Sequence, residues 1–179
     1  LYNFISMASA LKNLSDYNED NIPSVEGLKF GIIVSDYHND ITYALYEAAH
    51  ATLVKHGASE DDIHTVQVPG TFELPAGAKL LAQAKNLDGY ICLGCVIKGE
   101  TPHNDYINGA VANALMTMSV ASGKPFVFGV LTPNTHEQAK DRAGGKHGNK
   151  GVEAAVAAIR MATLKKSLGN KKQSIGFGK

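Results

Sequence analysis

Residues 95–106, Cys-Val-Ile-Lys-Gly-Glu-Thr-Pro-His-Asn-Asp-Tyr, are the densest polar stretch of the 179-residue chain. Gly99 permits a turn there, and Thr101 and His103 bring a hydroxyl and an imidazole to one rim. Imidazole titrates near neutral pH, so His103 is the best general acid–base candidate of the seven histidines. A second cluster is Val68-Pro69-Gly70-Thr71-Phe72-Glu73-Leu74-Pro75. Its Pro-Gly pair turns the chain straight into a helix, leaving the amides near Thr71 and Phe72 without intrahelical partners. Those donors, beside the Glu73 carboxylate, suit a polyol or the edge of a heterocycle, whereas Glu73 would repel a phosphate. Glu73 equally fits a plain role in complementing the helix dipole. Tyr37, in Ser35-Asp36-Tyr37-His38-Asn39-Asp40, either offers a flat ring to a planar ligand or packs on its own loop. Phe128 can supply a further apolar wall.

Arg142 and Lys150 bracket the run Ala143-Gly144-Gly145-Lys146-His147-Gly148-Asn149. Arg142 falls near the end of a helix, where a cation is favoured anyway. Lys150 falls near a helix start, the wrong end for a cation, and a bound phosphate would offset that placement. Cys92-Leu93-Gly94-Cys95 has metal-like or redox-like spacing but lies within a strand, where residues three apart face opposite sides. Both cysteines therefore read as buried small hydrophobes. There is no convincing metal set, and neither G-x-x-x-x-G-K-[ST] nor G-x-G-x-x-G occurs, so no nucleoside triphosphate or dinucleotide is indicated.

The elements that must position these residues alternate in type. Leu28–Val34, Ile63–Val68, Gly89–Ile97 and Phe126–Leu131 are short apolar runs that read as buried strands. Between them lie a helix through Ile41, Leu45, Ala49 and Leu53 ending at Gly57, a helix over Leu74–Ala84, and one over Ile107–Val120. Thr135-His136-Glu137-Gln138 fits a capping box opening a short helix, and Val152–Leu164 is a final Ala-rich helix. Strands alternating with helices predict a doubly wound, flavodoxin-like α/β domain: a parallel four-stranded sheet with helices on both faces. Ligands of such sheets bind at the carboxyl ends of the strands, here 35–40, 69–73, 95–105 and 128–135.

Composition bounds the function. With 17 Lys+Arg against 17 Asp+Glu, 44% hydrophobic and 19% charged residues, the chain is an ordinary globular one. Zero formal net charge and 7% aromatics argue against a general nucleic-acid binder. No segment approaches the ~20 unbroken apolar residues of a membrane span. Two cysteines and no basic leader point to a cytoplasmic setting. Leu1 is not an initiator, so the expected natural start is Met7. Residues 1–27, with Lys12 against Asp16, Glu19, Asp20 and Glu26, read as an N-terminal arm. Residues 28–164 form the domain, and 165–179, with five lysines and no acid, a basic C-terminal tail.

Three stretches carry a family likeness: Val68–Pro75, then Gly94–His103, then Phe128–Thr132 continued by Glu137-Gln138-Ala139, Arg142-Ala143-Gly144 and Gly148-Asn149-Lys150-Gly151. In this order they resemble the 6,7-dimethyl-8-ribityllumazine synthase family, over roughly residues 28–164. The resemblance implies condensation of 5-amino-6-(D-ribitylamino)uracil with 3,4-dihydroxy-2-butanone 4-phosphate, releasing phosphate and water, without metal or organic cofactor. It implies that Tyr37 stacks on the pyrimidine and that Thr71, Phe72 and Glu73 hold the ribityl chain and ring. Cys95, Val96 and Ile97 would line the pyrimidine pocket, partly through backbone groups, with Phe128 closing it from a neighbouring subunit. Glu100, Thr101 and Arg142 would hold the butanone phosphate, Lys150 would assist near the ligand, and His103 matches the proton-transfer residue. Three positions depart from the family pattern. Tyr37 stands where Phe or Trp is usual, Asn104 follows the His where an aromatic is common, and Glu100 sets a carboxylate near the phosphate, so its N–H is the expected ligand.

The resemblance also implies a homo-oligomer: pentamers with active sites between subunits, and, from the short Gly144–Gly151 linker, an icosahedral shell of twelve pentamers. Two competing classes are a non-catalytic flavodoxin-like module that stores a flavin or lumazine, and a purely structural shell protein. Neither needs Arg142, Lys150 and His103 together.

Overall fold

Four short runs pair into a parallel sheet in a computed structural model that describes residues 13–169. They are β1 (Phe30–Ser35), β2 (Ile63–Val68), β3 (Gly89–Cys95) and β4 (Phe126–Leu131), in the order β2-β1-β3-β4. The two central strands, β1 and β3, are buried along their whole length, and the edge strands are not. Helices α1 (Asn39–Lys55), α2 (Leu74–Ala84), α3 (His103–Ser122), α4 (His136–Asp141) and α5 (Lys150–Gly169) complete the architecture. Alternation along the strands feeds two cores. Phe30, Ile32, Val34, Ile91 and Leu93 pack with Leu45 and Leu53 of α1 and Ile159 of α5. Ile33, Tyr90 and Cys92 pack on the other face with Leu74 and Leu81 of α2 and Leu115 of α3. This is the doubly wound arrangement that the strand–helix alternation predicts. Ahead of β1, Ile22, Val25 and Leu28 are buried in the first of these cores.

The bounds of β2, β4 and α2 are those expected; others shift for local reasons. The end of α1 at Gly57 is a left-handed stop (φ +100°), with the Gly57 amide on the Val54 carbonyl and the Ala58 amide on that of Leu53. Pairing of β3 stops at Cys95 rather than Ile97. Beyond it the Lys98 amide still donates to the Pro133 carbonyl at 2.9 Å, but proline has no N–H to return. α3 opens at His103, four residues before the apolar stripe begins at Ile107, because the Asp105 and Tyr106 amides bond the Pro102 carbonyl. α5 starts at Lys150 and runs on to Gly169, beyond the expected Val152–Leu164. Thr135 caps α4 as expected by accepting from the Gln138 amide, but the Gln138 side chain reaches the Asn134 amide rather than that of the cap residue.

The segment after α4 holds an element that the sequence reading did not anticipate. Ala143–Gly145 (β5) and Gly148–Asn149 (β6) form a small antiparallel hairpin, with Gly144 and Gly148 at φ +117° and +75°. Met7, the expected start, and Lys171, Lys172 and Lys179 of the basic tail lie outside the described residues. Among the described residues no helix is long and apolar enough to cross a membrane.

Candidate functional site

The exits of the four strands are stitched pairwise into one rim. Beyond β1, the Asp36 and Tyr37 amides donate to the Val68 and Pro69 carbonyls at 2.9 and 3.1 Å. Beyond β3, the Val96 amide donates to the Leu131 carbonyl at 2.9 Å. The chain therefore leaves β1 and β2 side by side, which sets Tyr37 over Gly70. A Cβ at Gly70 would stand 2.8 Å from Tyr37 Cδ2 and 3.0 Å from Glu73 Oε2, so ring and carboxylate converge on one bare stretch of backbone. Both aromatic rings here face outward: Tyr37 is 69% exposed and Phe72 56%.

A non-glycine residue makes this turn. His38 adopts the left-handed conformation at φ 59°, ψ 48°, and its carbonyl accepts from the Ile41 and Thr42 amides that open α1. Histidine tolerates this region better than most residues, and strain of this kind gathers at working loops. No sequence signal marked His38. The Thr42 hydroxyl donates to the Ser35 carbonyl at 2.7 Å and Tyr43 donates its phenol proton to Asp36 at 2.7 Å, holding the loop from α1. The Asp36 carboxylate pushes the Tyr43 phenol above its ordinary value. His136 Nε2 lies 2.9 Å from Asp40 Oδ2, joining the starts of α4 and α1.

After β2, Thr71–Glu73 form a single 3-10 turn leading into α2, with the Glu73 amide on the Gly70 carbonyl at 3.2 Å. Thr71 itself is buried, and its hydroxyl donates to the Cys95 carbonyl at 3.4 Å. Gly94 makes room for it, since a Cβ there would stand 2.6 Å from Thr71 Oγ1. The structure thus brings Tyr37, Thr71, Glu73 and the Cys95 backbone together at the β1–β2–β3 exits. Val96 and the half-buried Ile97 continue the wall beside Leu131, packed against opposite cores.

The two thiols face opposite cores, Cys92 with α2 and α3 and Cys95 with α1 and α5, as strand alternation predicts. Burial pushes the Cys95 thiol up to about 12 and raises that of Cys92 as well. A soluble thiol reagent at neutral pH is therefore expected to leave the native protein unlabelled and to label both cysteines in denaturant; fast native labelling would contradict this burial.

Arg142 caps the C-terminus of α4, its guanidinium reaching the Gln138 carbonyl at 3.3 Å. Its own carbonyl accepts from the Lys150 amide at 2.9 Å, so the two residues are joined through their backbones across the base of the hairpin. Lys150 does stand at the positive end of α5, but Glu153 meets its ammonium at 2.6 Å. The unfavourable placement that suggested a bound phosphate is thus offset within the chain, and that reason for an anion here falls away.

Glu100, Thr101 and His103 lie on the exposed stretch that ends β3 and opens α3. Among the described residues no hydrogen bond or ion pair joins them to Arg142 or Lys150. Phe128 also stands apart. It is opposite Cys92 in mid-strand, three residues before β4 ends, and lines a groove of about 870 Å³ between α3 and α5 along the free edge of the sheet.

Comparison with known proteins gives a consistent result. The profile of the 6,7-dimethyl-8-ribityllumazine synthase family matches residues 27–166. A protein of that name from Cytophaga hutchinsonii is 51% identical over 155 residues, covering 87% of this chain and 97% of its own. Its namesakes from Parabacteroides distasonis and Aquifex aeolicus are 46% and 48% identical, covering 88% and 81% of this chain and 99% and 94% of their own.

Proposed function

The chain belongs to the 6,7-dimethyl-8-ribityllumazine synthase family, and from that premise we propose how its strand-end residues divide the work of the reaction. The protein is a transferase of riboflavin biosynthesis. It condenses 5-amino-6-(D-ribitylamino)uracil with 3,4-dihydroxy-2-butanone 4-phosphate to 6,7-dimethyl-8-ribityllumazine, releasing phosphate and water.

The observation that carries the assignment is the convergence of Tyr37, Glu73 and the buried Thr71 hydroxyl on the exits of β1, β2 and β3. In our reading the Tyr37 ring stacks on the pyrimidine. Glu73 and the backbone of Thr71 and Phe72 take the ribityl hydroxyls and ring edge, and Cys95, Val96 and Ile97 form the pocket wall. The Cys95 thiol faces the core, so that residue contributes through its backbone. Arg142 holds the phosphate of the second substrate, with the Glu100 amide and Thr101, and Lys150, its ammonium paired with Glu153, assists near the ligand. His103 moves the protons. Amine attack on the ketone, phosphate loss and ring closure each transfer protons near neutral pH, and one imidazole can serve them in turn. Most of the acceleration then comes from orienting two substrates, which demands no strong nucleophile.

The site is shared between subunits in this reading. Within one chain, no hydrogen bond or ion pair among the described residues joins Thr101 or His103 to Arg142, and Phe128 lines the groove between α3 and α5. The free edge of β4 is flanked by exposed Met116 and Val120 of α3 and Met161, Leu164 and Leu168 of α5. An apolar face of this kind beside an open sheet edge supports a homo-oligomeric contact. A neighbour seated there brings Phe128 of one chain toward the pyrimidine pocket of the next. We assign the assembly as pentameric, closed into a shell of twelve pentamers. Sedimentation or light scattering at neutral pH tests it: the shell mass is expected, a lone pentamer would contradict the shell, and a monomer would contradict the shared site.

A further inference from the structure

Residues 13–15 lie across the β5–β6 hairpin, far from it in sequence. The Leu14 amide donates to the His147 carbonyl at 2.7 Å, and the Asn149 amide donates to Ser15 Oγ at 2.9 Å. Gly148 is shaped to receive this segment. It needs its positive φ, and a Cβ there would stand 2.7 Å from the Ser15 nitrogen and 2.9 Å from that of Leu14.

Asn149 passes this hold onward. It is buried, 8% exposed, with both ends of its amide in use. Its Nδ2 donates to the Ala44 carbonyl of α1 at 3.0 Å, and its Oδ1 accepts from the Gly151 amide in the first turn of α5 at 2.8 Å. The adjoining Lys150 amide donates to the Arg142 carbonyl at 2.9 Å, and Ala143 pairs with Asn149 across the hairpin. Besides the direct bond between their backbones, Arg142 and Lys150 are therefore linked through the hairpin that Asn149 closes.

We propose that the N-terminal segment 13–15, acting through Ser15 and Asn149, is a positioning element for the Arg142–Lys150 anion site. This rests on the assignment of that pair to the butanone phosphate. A two-stranded hairpin this short is marginal by itself, and Gly144, Gly145 and Gly148 loosen its backbone further. Ligand groups that flank a loose hairpin must be ordered when substrate binds, and that cost weakens binding. The segment supplies the order in advance. Its effect therefore falls on capture of the phosphate-bearing substrate rather than on proton transfer.

Steady-state kinetics of the full-length chain test the proposal with Ser15→Ala, Ser15→Thr and Arg142→Ala. Ser15→Ala removes the acceptor for the Asn149 amide. It is expected to raise KM for 3,4-dihydroxy-2-butanone 4-phosphate about three- to tenfold, with kcat and KM for the pyrimidine within about twofold. Ser15→Thr keeps the oxygen and restores the wild-type KM. An unchanged KM in Ser15→Ala, or an equal rise for both substrates, overturns the proposal, the second outcome marking a merely structural role. If Ser15→Ala is silent while Arg142→Ala raises the same KM, the anion site stands without the N-terminal segment. If Arg142→Ala is itself silent, the site assignment fails, and the positioning role with it.

Discussion

Arg142→Ala is expected to raise KM for 3,4-dihydroxy-2-butanone 4-phosphate by about one to two orders of magnitude, leaving KM for the pyrimidine little changed. A hydrogen bond to a charged group contributes roughly 1.5–3 kcal/mol, and 1.36 kcal/mol is a factor of ten. The change should cost little stability, since the guanidinium's one internal bond among the described residues, to the Gln138 carbonyl, is on an exposed helix end. Arg142→Lys keeps the charge but loses the planar fork, and should recover only part of the affinity. Substrate saturation curves check this. Equal loss for both substrates would mean that Arg142 supports the fold of the hairpin rather than the phosphate.

His103→Ala is expected to lower kcat by about one to two orders of magnitude, at or below the low end of the usual acid–base contribution, with assembly retained. The low end applies because most of the acceleration is assigned to orienting the two substrates, which His103→Ala leaves in place. Assembly should survive because the groove-lining residues of α3 begin at Ala112, more than two turns further on. His103→Gln retains hydrogen bonding but cannot titrate, so it should behave like alanine in kcat. An unchanged rate in both variants would remove His103 from its assigned role.

Much of this arrangement was legible because it is written locally. β2, β4 and α2 declare themselves through apolar runs punctuated by Pro69-Gly70 and Gly57, and strand alternation separates Cys92 from Cys95 without a structure. The features that escaped are those set by distant partners. The hairpin over 143–149 reads as a Gly-rich linker because what orders it, Ser15 on the Asn149 amide, lies 134 residues away. The position of Phe128 depends on β4 being an edge strand, which follows from strand order and not from spacing. His38 carries no sign in the sequence of its left-handed backbone. The Lys150–Glu153 pair is different: its i, i+3 spacing was visible, and it supplies within the helix the negative charge that a phosphate had been invoked to provide.

The central claim is that this chain joins its two substrates at the strand exits without a further cofactor. Mixing wild-type protein with 5-amino-6-(D-ribitylamino)uracil and 3,4-dihydroxy-2-butanone 4-phosphate, while following phosphate release and lumazine absorbance together, tests it directly. The expected result is one phosphate released per lumazine formed, at a rate proportional to protein concentration and far above the protein-free mixture. A rate no faster than that of the protein-free mixture, or phosphate release uncoupled from lumazine, would contradict it.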